Sequence, residues 1–459
     1  MDENILLKEL CKKEVEYGLY ESKIEGLSIY SLIRHRVRYK YIEMKGMPAM
    51  EMRSTVHLFA AIRSAIISFF QLFKLWLSQK TYSTVFYAFP RVDKIGDVYF
   101  DKFTDPVIDV CDLKLNYIIL DHGRAGIHPR PRAHHRNIIY TDFLEVCSVI
   151  YASCFYHFFY NKFKNEFDRL HVSIVKYLGV DYEKKEMVKH YYISYVYSNL
   201  LKRLFKHVSS KRVLGPARAL LYTPFFAAHR IGMQTFELQH GVTYGESVLY
   251  SGYRDPKLIP DLFLAFGDNK PSDVYGIGED RIVNIGWALN NYIGRFSTRE
   301  NYQERDVLVI SDPEITEKII AAVVQLADNN PDSTFYLRLH PHEIINDKQL
   351  SIIESKKNVR IQNKTINISI VLQAFNHVIG EDSTVLYEAL AVNKKVGKLF
   401  MGGLKSHYLE DADRDCFWEI HSQNDFKNFI NGDVNERKSK CIYSLFNKDL
   451  FCKTIGIET

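Results

Sequence analysis

With 459 residues the chain exceeds one ordinary domain, and 46% hydrophobic with 25% charged residues excludes extensive disorder and suits two well-filled units. Its 60 Lys and Arg against 55 Asp and Glu leave a formal charge of +5, an excess that suits anionic ligands or lipid surfaces and lends nucleic acid no support. Cys11, Cys111, Cys147, Cys154, Cys416, Cys441 and Cys452 lie apart with no C-x-x-C pair, which argues against a disulfide framework or a zinc site and fits a reducing cytoplasm.

Along the chain, Met1-Asp-Glu-Asn shows no basic region leading into an apolar stretch, so no secretory signal is expected. The first eighty residues read as helical, with Ile5, Leu6, Leu10 and Val15 at helical spacing. His57 to Leu77 is nearly long enough to span a bilayer, but Arg63, Gln71 and Lys74 interrupt it. It reads either as a buried helix of the N-terminal domain, the commoner fate of such runs, or as an amphipathic helix lying on a membrane. Thr84–Ala88 and Asn116–Leu120 are predicted parallel strands; residues 141 to 207 return to aromatic-rich helix. Strands are then expected at Ala219–Thr223, Gln234–Leu238, Pro260–Phe266 and Arg281–Ile285.

The C-terminal half alternates strand and helix: Asp306–Ser311, then a helix over Glu314–Ala327, strands at Ser333–Leu339 and Val359–Gln362, a helix over Ile366–Phe375, the strand His377–Gly380, a helix over Ser383–Val392 and the strand Lys395–Phe400. That alternation predicts a doubly wound parallel sheet. The expected fold class is therefore α/β, with two Rossmann-like domains facing a cleft and a helical N-terminal lead-in. The predicted divisions are 1–80 for the lead-in packed on the N-terminal domain, 81–290 for that domain with a helical insertion, 300–440 for the C-terminal domain and 441–459 for a tail. Ligands of such sheets bind beyond the carboxyl ends of the strands, so the chemistry is sought on loops that follow strands.

Four such loops stand out. Arg338-Leu-His340-Pro341-His342-Glu343 follows the strand STFYL; a histidine there can donate to a phosphate, or sit in solvent. Gly380-Glu381-Asp382-Ser383-Thr384 precedes a helix whose free amides form an anion site, unless Asp382 or Ser383 merely caps it; Glu388, one turn on, is placed to accept from ribose hydroxyls or to face solvent. Phe236-Glu237-Leu238-Gln239-His240-Gly241 ends a strand where backbone approaches a ligand or the opposite domain, with a plain turn as the alternative. Asp121-His122-Gly123 ends another, as a general base for an acceptor hydroxyl or as a turn. The stretch Asp121 to Arg136 concentrates Arg124, Arg130, Arg132 and Arg136 with four histidines, which suits an anionic acceptor, a lipid diphosphate or an acidic leaflet as well as it suits a solvated loop. Asp411-Ala-Asp413 has the D-x-D form of a metal site, but follows no diphosphate-binding strand, so neither metal nor cofactor is expected.

Together, ELQHG, RLHPHE and EDSTVLYEAL resemble the two-domain GT-B-type glycosyltransferases of bacterial capsule and lipopolysaccharide synthesis, in particular capsule Kdo-transferases and bacterial sialyltransferases, over roughly residues 84 to 430. The resemblance implies a cytoplasmic enzyme, peripheral on the inner membrane face, that moves a sugar such as Kdo or a sialic-acid-like residue from a CMP-linked donor in the C-terminal domain to a glycan or lipid-linked acceptor. It implies that His340, Pro341, Ser383 and Thr384 hold the donor phosphate, with Arg338 and Glu388 completing the nucleotide site. The family often has Ser-Ser where this chain has Ser383-Thr384, which keeps the hydroxyl. The sialyltransferase base has no single match: His340, Asp121, Glu237 and His240 are the catalytic candidates, and Gln239, Arg124 and Arg130 the acceptor-binding ones. Two rival readings are a CDP-polyol phosphotransferase of teichoic-acid type and a non-catalytic GT-B-like scaffold subunit.

Overall fold

Short runs of Val, Ile, Leu, Phe and Tyr line up as parallel strands because both faces of such sheets are covered, which makes near-continuous apolar segments the stable choice. The computed structural model describes residues 3–46, 58–90, 92–111, 116–123, 126–133, 137–241, 246–267, 276–294, 302–341, 343–363, 365–408, 411–432 and 443–457. In the first sheet β1 (Thr84–Tyr87), β2 (Tyr117–Asp121), β3 (Ile138–Tyr140), β4 (Arg212–Pro216), β5 (Gln234–Leu238), β6 (Leu262–Ala265) and β7 (Ile282–Asn284) run in the order β7-β6-β5-β4-β1-β2-β3. In the second, β8 (Val307–Ile310), β9 (Phe335–Arg338), β10 (Val359–Ile361), β11 (His377–Gly380), β12 (Lys395–Leu399) and β13 (Trp418–Ile420) run β10-β9-β8-β11-β12-β13. All these pairings are parallel. Each order reverses beside its first strand, β1 against β4 and β8 against β11, which opens a crevice at the carboxyl edge of each sheet.

The helices are α1 (Glu3–Glu16), α2 (Ile29–Met44), α3 (Leu58–Ser78), α4 (Thr104–Cys111), α5 (Asp142–Lys162), α6 (Lys164–Ser173), α7 (Lys184–His207), α8 (Arg218–His229), α9 (Ala288–Ile293), α10 (Thr316–Asn329), α11 (Asp347–Glu354), α12 (Ile368–Ala374), α13 (Thr384–Ala391), α14 (Gln423–Asn431) and α15 (Lys448–Thr454). Helices α1 and α2 share one core with α6 and α7, through Leu6, Leu10, Ile33 and Val37 against Phe167, Leu170, Met187 and Tyr191. A second core fills the C-terminal sheet, where Val307, Val309 and Leu337 meet Ile319, Val323 and Phe426. A third joins the lobes, with Phe100 and Trp287 packed in the same cluster as Leu308 and Tyr387.

Residues 443–457 return to the N-terminal lobe. Ser444 donates its N–H to Phe266 O and Asn447 donates to Ile285 O, and α15 buries Phe451, Cys452 and Ile455 beside Val107, Ile108 and Cys111 of α4. Two sequence expectations are corrected. Ala219–Thr223 lies inside helix α8, and the strand is the preceding Arg212–Pro216. The slot between β1 and β5 admits a strand buried on both faces, and at Gly215 an added Cβ would stand 2.7 Å from Tyr87 O. Ala219, Leu220 and Leu221 are strong helix formers, so the helix follows local propensity, and only Tyr222 and Thr223 lean toward a strand. The His57–Leu77 run is not a core helix either: of α3 only Ser64, Ser68 and Leu75 are buried.

Candidate functional site

The carboxyl edges of the two sheets meet at a cavity of about 80 Å³. Lys102, Phe103, His240 and Gly241 form its N-terminal wall, Thr384 and Glu388 its C-terminal wall, and Phe266, Trp287, Leu289 and Tyr443 close the side where the chain crosses between lobes. Phe266 stacks on Tyr443 at 5.6 Å between ring centroids, and Trp287 lies 4.7 Å from Tyr443.

On the C-terminal side β11 delivers Gly380-Glu381-Asp382 to the start of α13. Ser383 caps that helix, its Oγ accepting from Val385 N–H at 3.2 Å, and Thr384 is exposed toward the cavity. Asp382 is occupied elsewhere, bonded to the buried Lys398 at 3.2 Å and to His407 Nδ1 at 2.7 Å, which fixes the loop before the helix. Burial raises the Glu388 carboxyl above its ordinary range, against the pull of Lys102 across the cavity.

His340 follows β9, one strand removed across β8, so it shares the sheet edge with Ser383 at a separation of about 10 Å by strand spacing. Its ring is exposed, as is Pro341, and neither is among the residues that wall the cavity. The loop owes its shape to buried Glu343, which accepts from His340 N–H at 2.8 Å, Ser311 Oγ at 2.6 Å and Thr316 Oγ1 at 2.7 Å. Arg338 points along the sheet, where its guanidinium donates to Gln362, to Asn363 O and to Ile366 O. His342 lies outside the described residues.

On the N-terminal side the end of β5 organises a chain of polar contacts. Glu237 is buried and ion-paired with Arg218 Nε at 2.8 Å, and its other oxygen accepts Arg218 N–H, the first amide of α8, at 2.9 Å. Burial raises this carboxyl, while Arg218 and the Tyr250 hydroxyl, which also bonds it, draw it back. Tyr250 Oη lies 3.2 Å from His240 Nδ1. If that hydroxyl donates to Glu237 it accepts from Nδ1–H, the tautomer in which Nε2 of His240 is the unprotonated nitrogen. Burial, with the charge of Lys102, pushes the His240 pKa down to about 4, so the ring is neutral at physiological pH. Gln239 braces the same turn, its Oε1 accepting from Phe266 N–H at 2.8 Å and its Nε2 donating to Gly241 O at 3.1 Å.

Asp121, at the end of β2, is turned inward. It accepts from Arg132 at 3.1 Å and meets His128 Nδ1 at 2.8 Å, while His128 Nε2 meets Asp142 at 2.8 Å. Burial opposes the imidazolium, but the two carboxylate bonds prevail and raise His128 to about 9. The folded state therefore keeps a proton that the unfolded chain releases above roughly pH 6.5. That stability is full below this pH and is lost as pH rises toward 9. Thermal melts across this range are expected to show a steeper fall for the wild type than for His128→Gln; parallel curves would contradict the bridged imidazolium. Arg130 is exposed and bonds Tyr140 Oη, and Arg124 lies outside the described residues.

The cavity residues that sequence reasoning missed are Lys102, Phe103, Phe266, Trp287, Leu289 and Tyr443, and outside the wall it missed Tyr250, the partner of His240. Lys102 and Phe103 are set by Asp101, which accepts from Phe89 N–H, Phe103 N–H and Thr104 Oγ1 at 2.7 to 2.9 Å. An Asp-x-x-Thr step before a helix is a readable cap signal, but nothing local says that it faces the other lobe. Asp413, half of the D-x-D, is buried, and among the described residues no His, Cys, Asp or Glu group is placed to hold a metal.

Two doubly wound sheets meeting edge to edge, with the C-terminal segment returning to the first lobe, define a protein of the GT-B fold. Solved structures share it. The UDP-GlcNAc 2-epimerase from Methanocaldococcus jannaschii aligns with a TM-score of 0.51 at 8% identity, over 82% of this chain and 99% of that one. The UDP-GlcNAc 2-epimerase from Neisseria meningitidis bound to UDP-GlcNAc aligns with a TM-score of 0.50 at 11% identity, over 82% and 99%. No protein-family model matches the chain, and no curated protein matches it in sequence. At such identities the likeness establishes the architecture.

Proposed function

We propose that the chain is a glycosyltransferase that moves a sugar from a nucleotide donor to a glycan or lipid-linked glycan. The observation that carries this reading is the shared cavity, where the helix start of α13 and Glu388 face the neutral His240. The two lobes treat their equivalent helix starts differently. In the N-terminal lobe the first amide of α8 is already taken by Glu237, a carboxylate supplied by the protein itself. In the C-terminal lobe the start of α13 bears hydroxyls and turns toward the cavity, which suits an external phosphate.

In this reading the Ser383 and Thr384 hydroxyls and the first amide of α13 neutralise the departing nucleotide phosphate, the Val385 amide being capped by Ser383 Oγ, and Glu388 accepts from a ribose hydroxyl. His240 Nε2 takes the proton of the attacking acceptor hydroxyl, with Tyr250 and Glu237 holding the ring in register. His340 and Pro341 lie outside this cavity on the loop after β9, about 10 Å along the sheet edge by strand spacing, and would meet only a donor group that extends that far. A whole nucleotide-sugar is larger than the present cavity, so the lobes part to admit it. Within this reading, the motifs support a CMP-linked Kdo or sialic-acid-like sugar for capsule or lipopolysaccharide; the fold neighbour's UDP-GlcNAc supports a uridine diphosphate donor instead.

The test is to offer CMP-, UDP- and GDP-sugars and CDP-glycerol, with and without bacterial lipid extract, and to follow free nucleotide by mass spectrometry and sugar configuration by NMR. The expected result is acceptor-dependent nucleotide release from one class of nucleotide-sugar. Release from CDP-glycerol alone, isomerisation of a sugar without nucleotide release, or no turnover of any donor would each overturn the reading.

A further inference from the structure

Helix α3 is mounted with its polar side inward. Ser68 Oγ donates to Tyr140 O at 2.5 Å and accepts from Phe143 N–H at 3.2 Å, and Gln71 Oε1 accepts from Tyr140 N–H at 2.8 Å. The opposite side is apolar and open to solvent: Phe59 is 90% exposed, Phe70 62% and Trp76 62%. A helix packed on a water-soluble lobe normally does the reverse and turns its apolar stripe to the core. Helix α5 lies alongside, joined through Phe69 and Phe143 at 5.1 Å, and extends the surface with Ile150, Phe155 and Phe158, the last 74% exposed. Both helices have the length and composition to cross a membrane.

Between α3, the first turn of α5 and the end of α7 runs a groove of about 660 Å³, with Phe69, Phe73 and Trp76 on one wall, Leu200 and Leu204 on the other, and Arg203 and Lys206 at its rim. Beyond the first turn of α5, with its Asp142 and Glu145, the charge around this face is basic. Helix α3 contains no Asp or Glu, α5 contains none after Glu145, and Arg63, Lys74, Lys162, Arg203 and Lys206 are exposed. So extended an apolar patch is unusual on a monomeric soluble protein and marks an interaction site.

We propose that α3 and α5 dock this protein on an acidic phospholipid bilayer, lying in the interface with an acyl chain in the groove and lipid phosphates against Arg203 and Lys206. The helices lie on the bilayer and do not cross it, because Ser68, midway along α3, is bonded to the last residue of a strand of the lobe. A second copy of the chain is a poorer occupant: a two-fold contact would set this predominantly basic face against itself. Anionic lipid matches both the apolar surface and its charge. Docking also sets the loop after β2 near the membrane, since Gly126 of that loop touches Ala61 in the first turn of α3.

The experiment is co-sedimentation of the full chain with phosphatidylcholine vesicles, with and without phosphatidylglycerol. The expected result is binding that needs phosphatidylglycerol, weakens with salt, and falls roughly tenfold or more in Phe70→Glu/Trp76→Glu and in Arg203→Glu/Lys206→Glu. All these residues are exposed, so unchanged melting temperatures are expected for both variants. A wild type that stays in the supernatant, binding that both variants keep, resistance to alkaline carbonate extraction, or a lipid-free dimer that the variants dissociate would overturn the proposal.

Discussion

Replacing Glu14 with alanine is expected to lower folding stability by about 3–5 kcal/mol, the range found when one partner of a buried ion pair is removed. Glu14 has no exposed side-chain surface, and neither has Arg38, whose Nε and Nη2 donate to it at 2.7 and 2.6 Å. The same carboxylate accepts from Tyr20 Oη at 2.6 Å and Tyr30 Oη at 2.8 Å. Truncation leaves a guanidinium and two phenols buried with their main acceptor gone. Arg38 also donates to Val248 O at 2.8 Å, so the defect reaches the segment that holds Tyr250 over Glu237 and His240. Urea denaturation followed by circular dichroism measures the loss; a change below about 1 kcal/mol, the level of an exposed pair, would show that α1 and α2 are an appendage. Glu14→Gln keeps the shape without the charge and should fall between the two.

His240→Ala is expected to reduce sugar transfer by about 10²–10⁴-fold, the usual range for a positioned general base. Donor affinity should change little, because Ser383, Thr384 and Glu388 remain in place. Tyr250→Phe acts through the ring and not on the substrate, so its signature is a pH profile. Wild-type rate should fall off as acid approaches the His240 pKa near 4, and loss of the Tyr250 hydroxyl should move that limb. A Tyr250→Phe profile that overlays the wild type while the rate drops would leave Tyr250 a structural role only.

How much of this was legible in the chain depended on whether the deciding contacts were local. VLVI and HVIG were readable because a strand buried on both faces needs little besides β-branched residues, and the start of α13 because Gly380 to Thr384 carries its own cap. ALLYT is a short apolar run that periodicity alone cannot tell from a buried strand, although its Ala and Leu favour the helix it forms, and the strand position beside it belongs to RVLGP. The serines at 64 and 68, one turn apart, were the sign that α3 turns its polar side inward, but they mean that only once β3 is known to lie beneath them. Glu237 and His240 were both singled out, yet their link through Tyr250 runs across a loop and is fixed by the third dimension. Asp121 stands at the end of a strand as a catalytic acid would, but its partners His128 and Arg132 come from the loop that follows, with Asp142 on the far side of His128, and they make it an internal counter-ion.

The central claim is that a nucleotide phosphate docks at the start of α13, in the cavity facing His240. Isothermal titration calorimetry of CMP, UDP and GDP against the wild type and Thr384→Trp tests it most directly, since the indole fills the cavity from an exposed position that costs the helix little. The claim predicts that one nucleotide binds the wild type and that its Kd rises at least roughly tenfold, about 1.4 kcal/mol, in a variant with an unchanged melting temperature. No binding by the wild type, or equal affinity in the filled variant, would contradict it.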